Sequence, residues 1–179
     1  MVGLVATNYS QALFELAKEE KKLEDFKSSL ITMQDVLQTS EELRLVMKHP
    51  KISKDDKKEL LDKIFTDIDI YVKNFAKLLV DKNRFMNFND ICKCYFSMYN
   101  EYHNIEVAYV QSAVELSSKQ KQALKVMLET KLNKTVELKM RVNEELLAGM
   151  RIKIKDEILD NSAASKLDRM KEQVVKTTL

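Results

Sequence analysis

The chain has 179 residues, of which 45% are hydrophobic and 32% charged, with only two glycines and one proline. This composition favours long helices over turn-rich sheets. The net charge of +2 is too close to balance for a general nucleic-acid binder. The longest uncharged run, Met1 to Phe14, is shorter than the roughly 20 apolar residues of a membrane span, and no basic residue precedes it as in a signal peptide. We therefore expect a soluble protein that is neither exported nor inserted into a membrane.

The first hundred residues predict six amphipathic helices of modest length, because apolar residues recur there at intervals of three and four. Thr39 with Glu42 has the spacing of a capping box, and Ser53 with Asp56 gives a similar start signal. Pro50 must end the helix between them. The six runs start near Thr7 or Asn8, Leu23, Thr39, Ser53, Asp69 and Phe88. Short connections between such helices are typical of a compact bundle.

Near Tyr102 the hydrophobic period changes to 2, which indicates strands. Ser117 with Gln120 is a capping box for a helix between the first two strands, and Asp160 or Asn161 can cap a final helix. The alternating strand segments are 107–116, 136–142 and 150–154. In the helix after Ser117, the residues expected to face inward are Ala123, Leu124, Met127, Leu128 and Leu132. In the final helix they are Ala163, Leu167, Met170 and Val174. We predict a mainly α chain with a six-helix bundle over 1–104 and a small α/β domain of order β-α-β-β-α over 105–179.

Nothing in the sequence predicts a catalytic, cofactor or metal site. A phosphate-binding loop needs glycines, and Gly3 and Gly149 are the only two. Cys92 and Cys94 would diverge on a helix, and His103 lies more than two turns beyond them, so reduced structural thiols are the expected role. No nucleophile, base and orienting group can be assembled from the remaining residues.

Basic residues concentrate on the predicted strands of the second half, which carries 14 basic and 11 acidic residues after Asn104. They are Lys139, Arg141, Arg151, Lys153 and Lys155. Glutamates interrupt this edge, and no aromatic residue is seen between the basic ones for base stacking. A small nucleic-acid-binding protein that uses the edge is the alternative function, while an exposed sheet face or a surface for an acidic helical partner is the interpretation that we favour.

Several short motifs, each weak singly, occur in a specific order over essentially the whole chain. They are Tyr9 to Ala17 (YSQALFELA), His49 to Ser53 (HPKIS) with Lys57 and Lys58, Asn74-Phe75 with Leu78-Leu79 and Asn83-Arg84, Val110 to Ala113 with Leu116-Ser117, Leu146 to Ile152 (LLAGMRI), and Ile158 to Ser162 (ILDNS). In this arrangement the chain resembles the family of the delta subunit of bacterial F-type ATP synthase and the mitochondrial oligomycin-sensitivity-conferring protein.

The resemblance implies a non-catalytic stator subunit, without a cofactor, that links the catalytic head to the peripheral stalk. In the family, the N-terminal helix of an alpha subunit lies in a groove between the first and fifth helices, and the C-terminal domain meets the b subunits of the stalk. The matching groove residues are Tyr9, Ala12, Leu13, Leu16, Val72, Phe75 and Leu79, about half of which we expect to be bundle core. The stalk residues that we predict are Lys139, Met150, Arg151, Lys153 and Val174.

The resemblance also implies a location at the cytoplasmic face of the bacterial cell membrane, with membrane association only through the complex and no nucleic-acid partner. The translocated ion, a proton or sodium, does not follow from these residues.

Overall fold

The computed structural model describes residues 3–163 and 165–166. Contacts divide the chain into two compact units, Met1–Tyr99 and Asn100–Leu179. The prediction of a mainly helical chain with a small α/β part is confirmed. Each unit is described by itself below.

Unit 1 is built from helices that pack around one apolar core. The helices are α1 (Leu4–Glu19), α2 (Leu23–Thr39), α3 (Glu41–Lys48), α4 (Lys54–Ile64), α5 (Ile70–Asp81) and α6 (Phe88–Tyr102), with a 3-10 turn at Phe85–Asn87 before α6. The last three residues of α6 belong to unit 2. Its largest fully buried side chains include Phe26, Phe88 and Tyr95. The Tyr95 hydroxyl donates to the carbonyl oxygen of Leu23 at 3.1 Å, so even this buried phenol is satisfied.

Two predicted helix starts in unit 1 were wrong by a few residues. Helix α1 begins at Leu4 and not near Thr7, since the Gly3 carbonyl oxygen accepts from the Ala6 N–H at 2.9 Å. Helix α3 is capped by Ser40, whose hydroxyl accepts from the Leu43 N–H at 3.2 Å, and not by Thr39, which ends α2. The Ser53 signal was correct, because its hydroxyl caps α4 through the Asp56 N–H.

Over its described residues, unit 2 is a four-stranded sheet with one complete helix on one face. The elements are β1 (Ile105–Ser112), α7 (Ser118–Leu132), β2 (Thr135–Val142), β3 (Met150–Ile154) and β4 (Glu157–Asp160), and the strand order is β2-β1-β3-β4. Strands β1 and β2 are parallel, and the other neighbours are antiparallel. Leu124 and Leu128 of α7 pack on Ala108, Val110 and Ile152, so the even-numbered residues of β1 face the helix.

The predicted order β-α-β-β-α was wrong in omitting β4. Between β3 and β4 the chain turns within two residues, Lys155 and Asp156, and Lys155 adopts a positive φ of 50°. The dipeptides that usually signal such a turn, Asn-Gly, Asp-Gly and Gly-Gly, are absent there. The first strand was also predicted too long, since β1 ends at Ser112 and Val114 is 69% exposed.

The capping box at the start of α7 is confirmed, because Ser117 and Gln120 exchange both hydrogen bonds. Two of the residues predicted to face inward from α7 do not. Ala123 is exposed and Met127 is 55% exposed, because the side of α7 that meets the sheet is the stripe of Leu124, Leu128 and the half-buried Leu132.

The predicted cap of the final helix is replaced by a neighbouring residue. Ser162 accepts from the Ser165 N–H at 3.3 Å, while Asp160 accepts from the N–H of Ser162 at 2.9 Å. Asp160 therefore supports the turn before the cap. The predicted inward residues Leu167, Met170 and Val174 lie outside the described residues.

Candidate partner-binding surfaces

Helices α1 and α5 present an apolar strip that we name the α1/α5 surface, made of Tyr9, Ala12, Leu16, Phe75 and Leu78. The strip is part exposed: Ala12 is exposed, Tyr9, Leu16 and Phe75 are half-buried, and Leu78 is 43% exposed. The other predicted groove residues, Leu13, Val72 and Leu79, are buried in the bundle core. The structure therefore separates the seven predicted residues into three core and four surface positions.

Ring contacts hold the two halves of the α1/α5 surface against each other. The rings of Tyr9 and Phe75 meet edge to face with their centroids 6.2 Å apart. Arg84, just after α5, donates to the Tyr9 hydroxyl at 3.1 Å and places its guanidinium carbon 5.4 Å from the ring centroid. These contacts fix the Tyr9 ring, so the strip is preorganised.

Sequence reasoning missed Leu78 and the role of Arg84. On α5, Tyr71, Phe75 and Leu78 follow the spacing i, i+4, i+7 of one helix face. This stripe lies beside the buried stripe of Val72, Ala76 and Leu79. The sequence therefore shows that apolar residues cover two adjacent stripes of α5. It does not show which of the two stripes is buried.

The start of α5 is tied to the turn between α1 and α2. Asp69 caps α5 by accepting from the Tyr71 N–H at 2.8 Å and forms an ion pair with Lys22 at 3.0 Å. The Asp69 N–H donates to the Ser29 hydroxyl at 3.0 Å. The hydrogen bond with Asp69 raises the pKa of Lys22 above its ordinary value. This network ties the start of α5 to α2 and to the turn that joins α1 and α2.

Unit 2 exposes the face of its sheet opposite α7, which we name the outer sheet face. Across the strands, Lys139 pairs with Tyr109, Tyr109 with Lys153, and Lys153 with Ile158. The next row of the face runs through Arg141, Gln111, Arg151 and Asp160. Neither Lys139 nor Lys153 forms an ion pair with any described residue. The outer face is therefore basic, with an apolar centre.

Tyr109 corrects the sequence interpretation that no aromatic residue interleaves the basic ones. It lies directly between Lys139 and Lys153, and it is 52% exposed. In the sequence it is about thirty and forty-four residues from those lysines. Only the strand order, with β1 between β2 and β3, brings the three together.

The remaining predicted stalk residues are placed differently. Met150 is half-buried and packs with the core on the α7 side of the sheet, so it does not join Lys139 and Lys153. Arg151 is on the outer sheet face, but its Nη2 atom lies 2.7 Å from the Oδ2 atom of Asp160. Val174 lies outside the described residues.

The thiols are free in this fold. Cys92 is buried, which raises the pKa of its thiol well above the ordinary range, and Cys94 is half-buried. Within 3–163 and 165–166, no three histidine, cysteine or acidic side chains gather as a metal site would require. No helix in the same described part is long and apolar enough to cross a bilayer.

These features define a class: a two-unit protein whose exposed apolar and basic surfaces suit protein partners. Comparison with known proteins gives the family. The model of the family described as "ATP synthase delta (OSCP) subunit" matches residues 5–174. The ATP synthase subunit delta of Desulfitobacterium hafniense is 35% identical over 96% of this chain and 97% of its own length. That of Clostridioides difficile is 32% identical over 97% of both chains.

Among solved structures, a chain of the Toxoplasma gondii mitochondrial ATP synthase has the same fold. The TM-score is 0.77 over 97% of this chain and 98% of that one, at 23% sequence identity. The chain described here belongs to the ATP synthase delta (OSCP) subunit family. It is accordingly a structural, non-catalytic subunit of the peripheral stalk of an F-type ATP synthase.

Proposed function

We propose that this subunit joins the alpha subunits of the catalytic head to the b subunits of the peripheral stalk in a proton- or sodium-translocating ATP synthase. Unit 1 binds the N-terminal helix of an alpha subunit, and unit 2 binds the stalk. The protein then lies at the cytoplasmic face of the bacterial cell membrane and is associated with it only through the complex.

The α1/α5 surface is the observation that carries this proposal. Its apolar side chains lie beside a complete core rather than within it, so they are available to another helix. An amphipathic helix buries its apolar face in such a strip, with anchors spaced by three and four residues. Burial of apolar surface stabilises the contact by about 25 cal/mol per Å² before the costs of association. A long apolar seam also dissociates slowly, which suits a stator that must withstand torque.

The head contact is tested by calorimetric titration of the full chain with a peptide from the N-terminus of the cognate alpha subunit. Ala12→Glu places a charge in the α1/α5 surface at an exposed position, and Thr7→Glu places the same charge on the opposite side of α1. We expect saturable one-to-one binding that Ala12→Glu weakens by about tenfold or more, which corresponds to 1.4 kcal/mol, and that Thr7→Glu retains. The proposed site is wrong if both variants bind like the unaltered chain.

Phe75→Asp is a second variant for this site, with circular dichroism as the check that the helices remain. Because Phe75 contacts Tyr9, its loss removes both an anchor and the support of its neighbour. We expect no measurable binding of the alpha peptide. Unchanged binding by a folded Phe75→Asp chain would contradict the placement of the site.

The outer sheet face supports the contact with the stalk. Strands β1 and β2 have α7 on one side and the exposed residues Lys139 and Tyr109 on the other. We infer that an acidic helix of the stalk covers this face, with Lys139 and Lys153 setting its orientation. Charge attraction of this kind steers association and weakens with salt.

The stalk contact is tested by titrating a soluble segment of the b subunits at two salt concentrations. The double variant Lys139→Glu/Lys153→Glu changes the outer face, and Lys119→Glu/Lys131→Glu makes the same charge change on exposed positions of α7. We expect Lys139→Glu/Lys153→Glu to lose affinity for the b-subunit segment, together with the salt dependence of that affinity. Lys119→Glu/Lys131→Glu should keep both. Equal behaviour of both double variants would exclude the outer sheet face.

The nucleic-acid alternative uses the same face, and the position of Tyr109 between two lysines is the observation that favours it. Family membership favours the connector. A filter-binding titration at physiological salt separates them, since a nucleic-acid binder would show a steep dependence of affinity on salt.

A further inference from the structure

Unit 1 has a cavity that shares no residue with the α1/α5 surface. It has a volume of about 330 Å³ and lies between the end of α2, α3 and residues 85–89. Its floor is apolar and buried, formed by Leu37, Met47, Phe85 and Phe88. The rings of Phe85 and Phe88 are stacked with centroids 5.7 Å apart, which gives the floor a fixed shape.

The mouth of this cavity is also apolar. Leu45 on α3 and Met86 in the 3-10 turn both line it, and each is 60% exposed. An exposed leucine by itself needs no explanation, but here two large apolar side chains border one pocket with an apolar floor. Methionine is flexible and polarisable, and it adapts to the side chain that it meets. The cavity and its mouth therefore form a continuous apolar groove that is open to solvent.

Charges along α3 give the groove a direction. Glu41, Arg44, Leu45 and Lys48 follow the spacing of one helix face and all line the cavity. Glu41 lies in the first turn of α3, where the helix dipole favours an acidic side chain. Arg44 and Lys48 form no hydrogen bond or ion pair through their side chains with any residue in the described part of the chain. Two cations without a partner thus border the half of the groove nearer the end of α3.

We propose that this α3 groove is a second docking site, which takes an acidic amphipathic helix from a protein partner. One or two large apolar side chains enter the cavity, whose volume is at the lower end of the roughly 300–1,000 Å³ range of ligand pockets. Carboxylates one turn from these anchors pair with Arg44 and Lys48. Helix-in-groove recognition uses this combination of spaced apolar anchors and a charged border, so one helical unit holds two separate helices.

The test uses the full chain and three designed helical peptides that carry a fluorophore. The first has leucines spaced by four residues with flanking glutamates, the second has lysines in place of the glutamates, and the third has serines in place of the leucines. Fluorescence anisotropy gives the affinities, and chemical shift changes of isotope-labelled chain locate the bound peptide. We expect the acidic peptide to bind with shifts at Leu45 and Met86, and the other two to bind at least about tenfold more weakly.

Charge reversal at the groove distinguishes a change in the binding site from a loss of the fold. Arg44→Glu/Lys48→Glu is expected to lose the acidic peptide and to gain the basic one, whereas Lys119→Glu/Lys131→Glu keeps the original preference. A reversed preference cannot come from unfolding. Absence of binding by all three peptides, equal binding of the acidic and basic ones, or shifts confined to Tyr9 and Phe75 would each overturn the proposal, and the last would assign these peptides to the α1/α5 surface.

Discussion

Arg151 and Asp160 are joined across β3 and β4 by two short contacts, with Nε and Nη2 of the arginine 2.8 and 2.7 Å from the Oδ2 atom of the carboxylate. The other carboxylate oxygen accepts from the N–H and hydroxyl of Ser162 at 2.9 and 2.7 Å. Asp160 thus ties the edge strand to both its neighbour and the following turn. Arg151, predicted as a stalk residue, has a structural partner within its own sheet.

Asp160→Asn is expected to destabilise unit 2 by about 1–2 kcal/mol at neutral pH, as for the loss of a cap and a charge-assisted hydrogen bond. The bonds from Ser162, followed by that from Ser165, hold the pKa of Asp160 well below its usual range. A lowered pKa contributes stability above the unfolded value of about 3.9 that is lost as the pH falls further. Urea unfolding between neutral pH and pH 3, with hydrogen exchange to locate the effect, measures this.

Asp156→Asn, in the exposed turn between β3 and β4, is the matched control for Asp160→Asn. It should change neither the stability nor its acid dependence by more than about 0.5 kcal/mol. Equal effects of the two substitutions would show that the Asp160 network adds nothing.

Gly149→Ala should destabilise unit 2 more than most substitutions at exposed positions. Gly149 has a φ of +85°, and an added Cβ atom would lie 2.4 Å from the carbonyl oxygen of Asn161. Both the left-handed backbone and the overlap oppose a side chain, so we expect a loss of about 2–4 kcal/mol in the free energy of unfolding. Gly3→Ala is the control, because nothing lies within 4 Å of its added Cβ. Similar unfolding midpoints for the two variants would refute the close approach at Asn161.

Asp69→Ala should lower the stability of unit 1 by about 1–2 kcal/mol, since it removes the N-cap of α5 and the partner of Lys22. Asp67→Ala, two residues earlier and exposed, should cost no more than about 0.5 kcal/mol. Thermal unfolding of both variants gives the comparison. If Asp67→Ala proves the more damaging of the two, the network around Asp69 does not position α5.

Tyr99 provides a test at alkaline pH. Burial, together with its hydrogen bond to Glu24, raises the pKa of the Tyr99 phenol to about 12. A raised pKa contributes stability below the unfolded value of about 10 that is lost as the pH rises toward the folded one. We expect Glu24→Gln to lower the Tyr99 pKa. The control Glu20→Gln, at an exposed position, should leave the Tyr99 pKa unchanged. NMR titration of isotope-labelled tyrosines reads the value directly, and a Tyr99 pKa insensitive to Glu24→Gln would contradict the assignment.

The parts of the fold that depend on neighbouring residues in the chain were predictable. The caps at Ser53 and Ser117 are local hydrogen bonds whose spacing is visible in the sequence. Strand β4 was missed because its four residues follow a turn through Lys155 with no glycine. The face of α7 was misjudged because a helix that packs on a sheet through one stripe leaves Met127 outside, and the period alone does not give the width of the buried stripe.

The surfaces depend on strand order and on which apolar stripe is buried, and neither follows from local pattern. Lys139 and Lys153 were singled out from the sequence, but Tyr109 between them required the order β2-β1-β3. On α5, Val72 and Phe75 looked equivalent in the sequence, yet the first is core and the second is half-exposed. The resemblance pointed to helices α1 and α5, and the burial of their side chains then separated surface from core residues.

Native mass spectrometry of the full chain, mixed with the alpha N-terminal peptide and a soluble segment of the b subunits, measures whether one chain holds head and stalk together. We expect a ternary complex for the unaltered chain. Ala12→Glu should leave mainly the chain bound to the stalk segment, and Lys139→Glu/Lys153→Glu should leave mainly the chain bound to the alpha peptide. Mutually exclusive binding of the two partners, or loss of both partners in either variant, would contradict a connector with two independent surfaces.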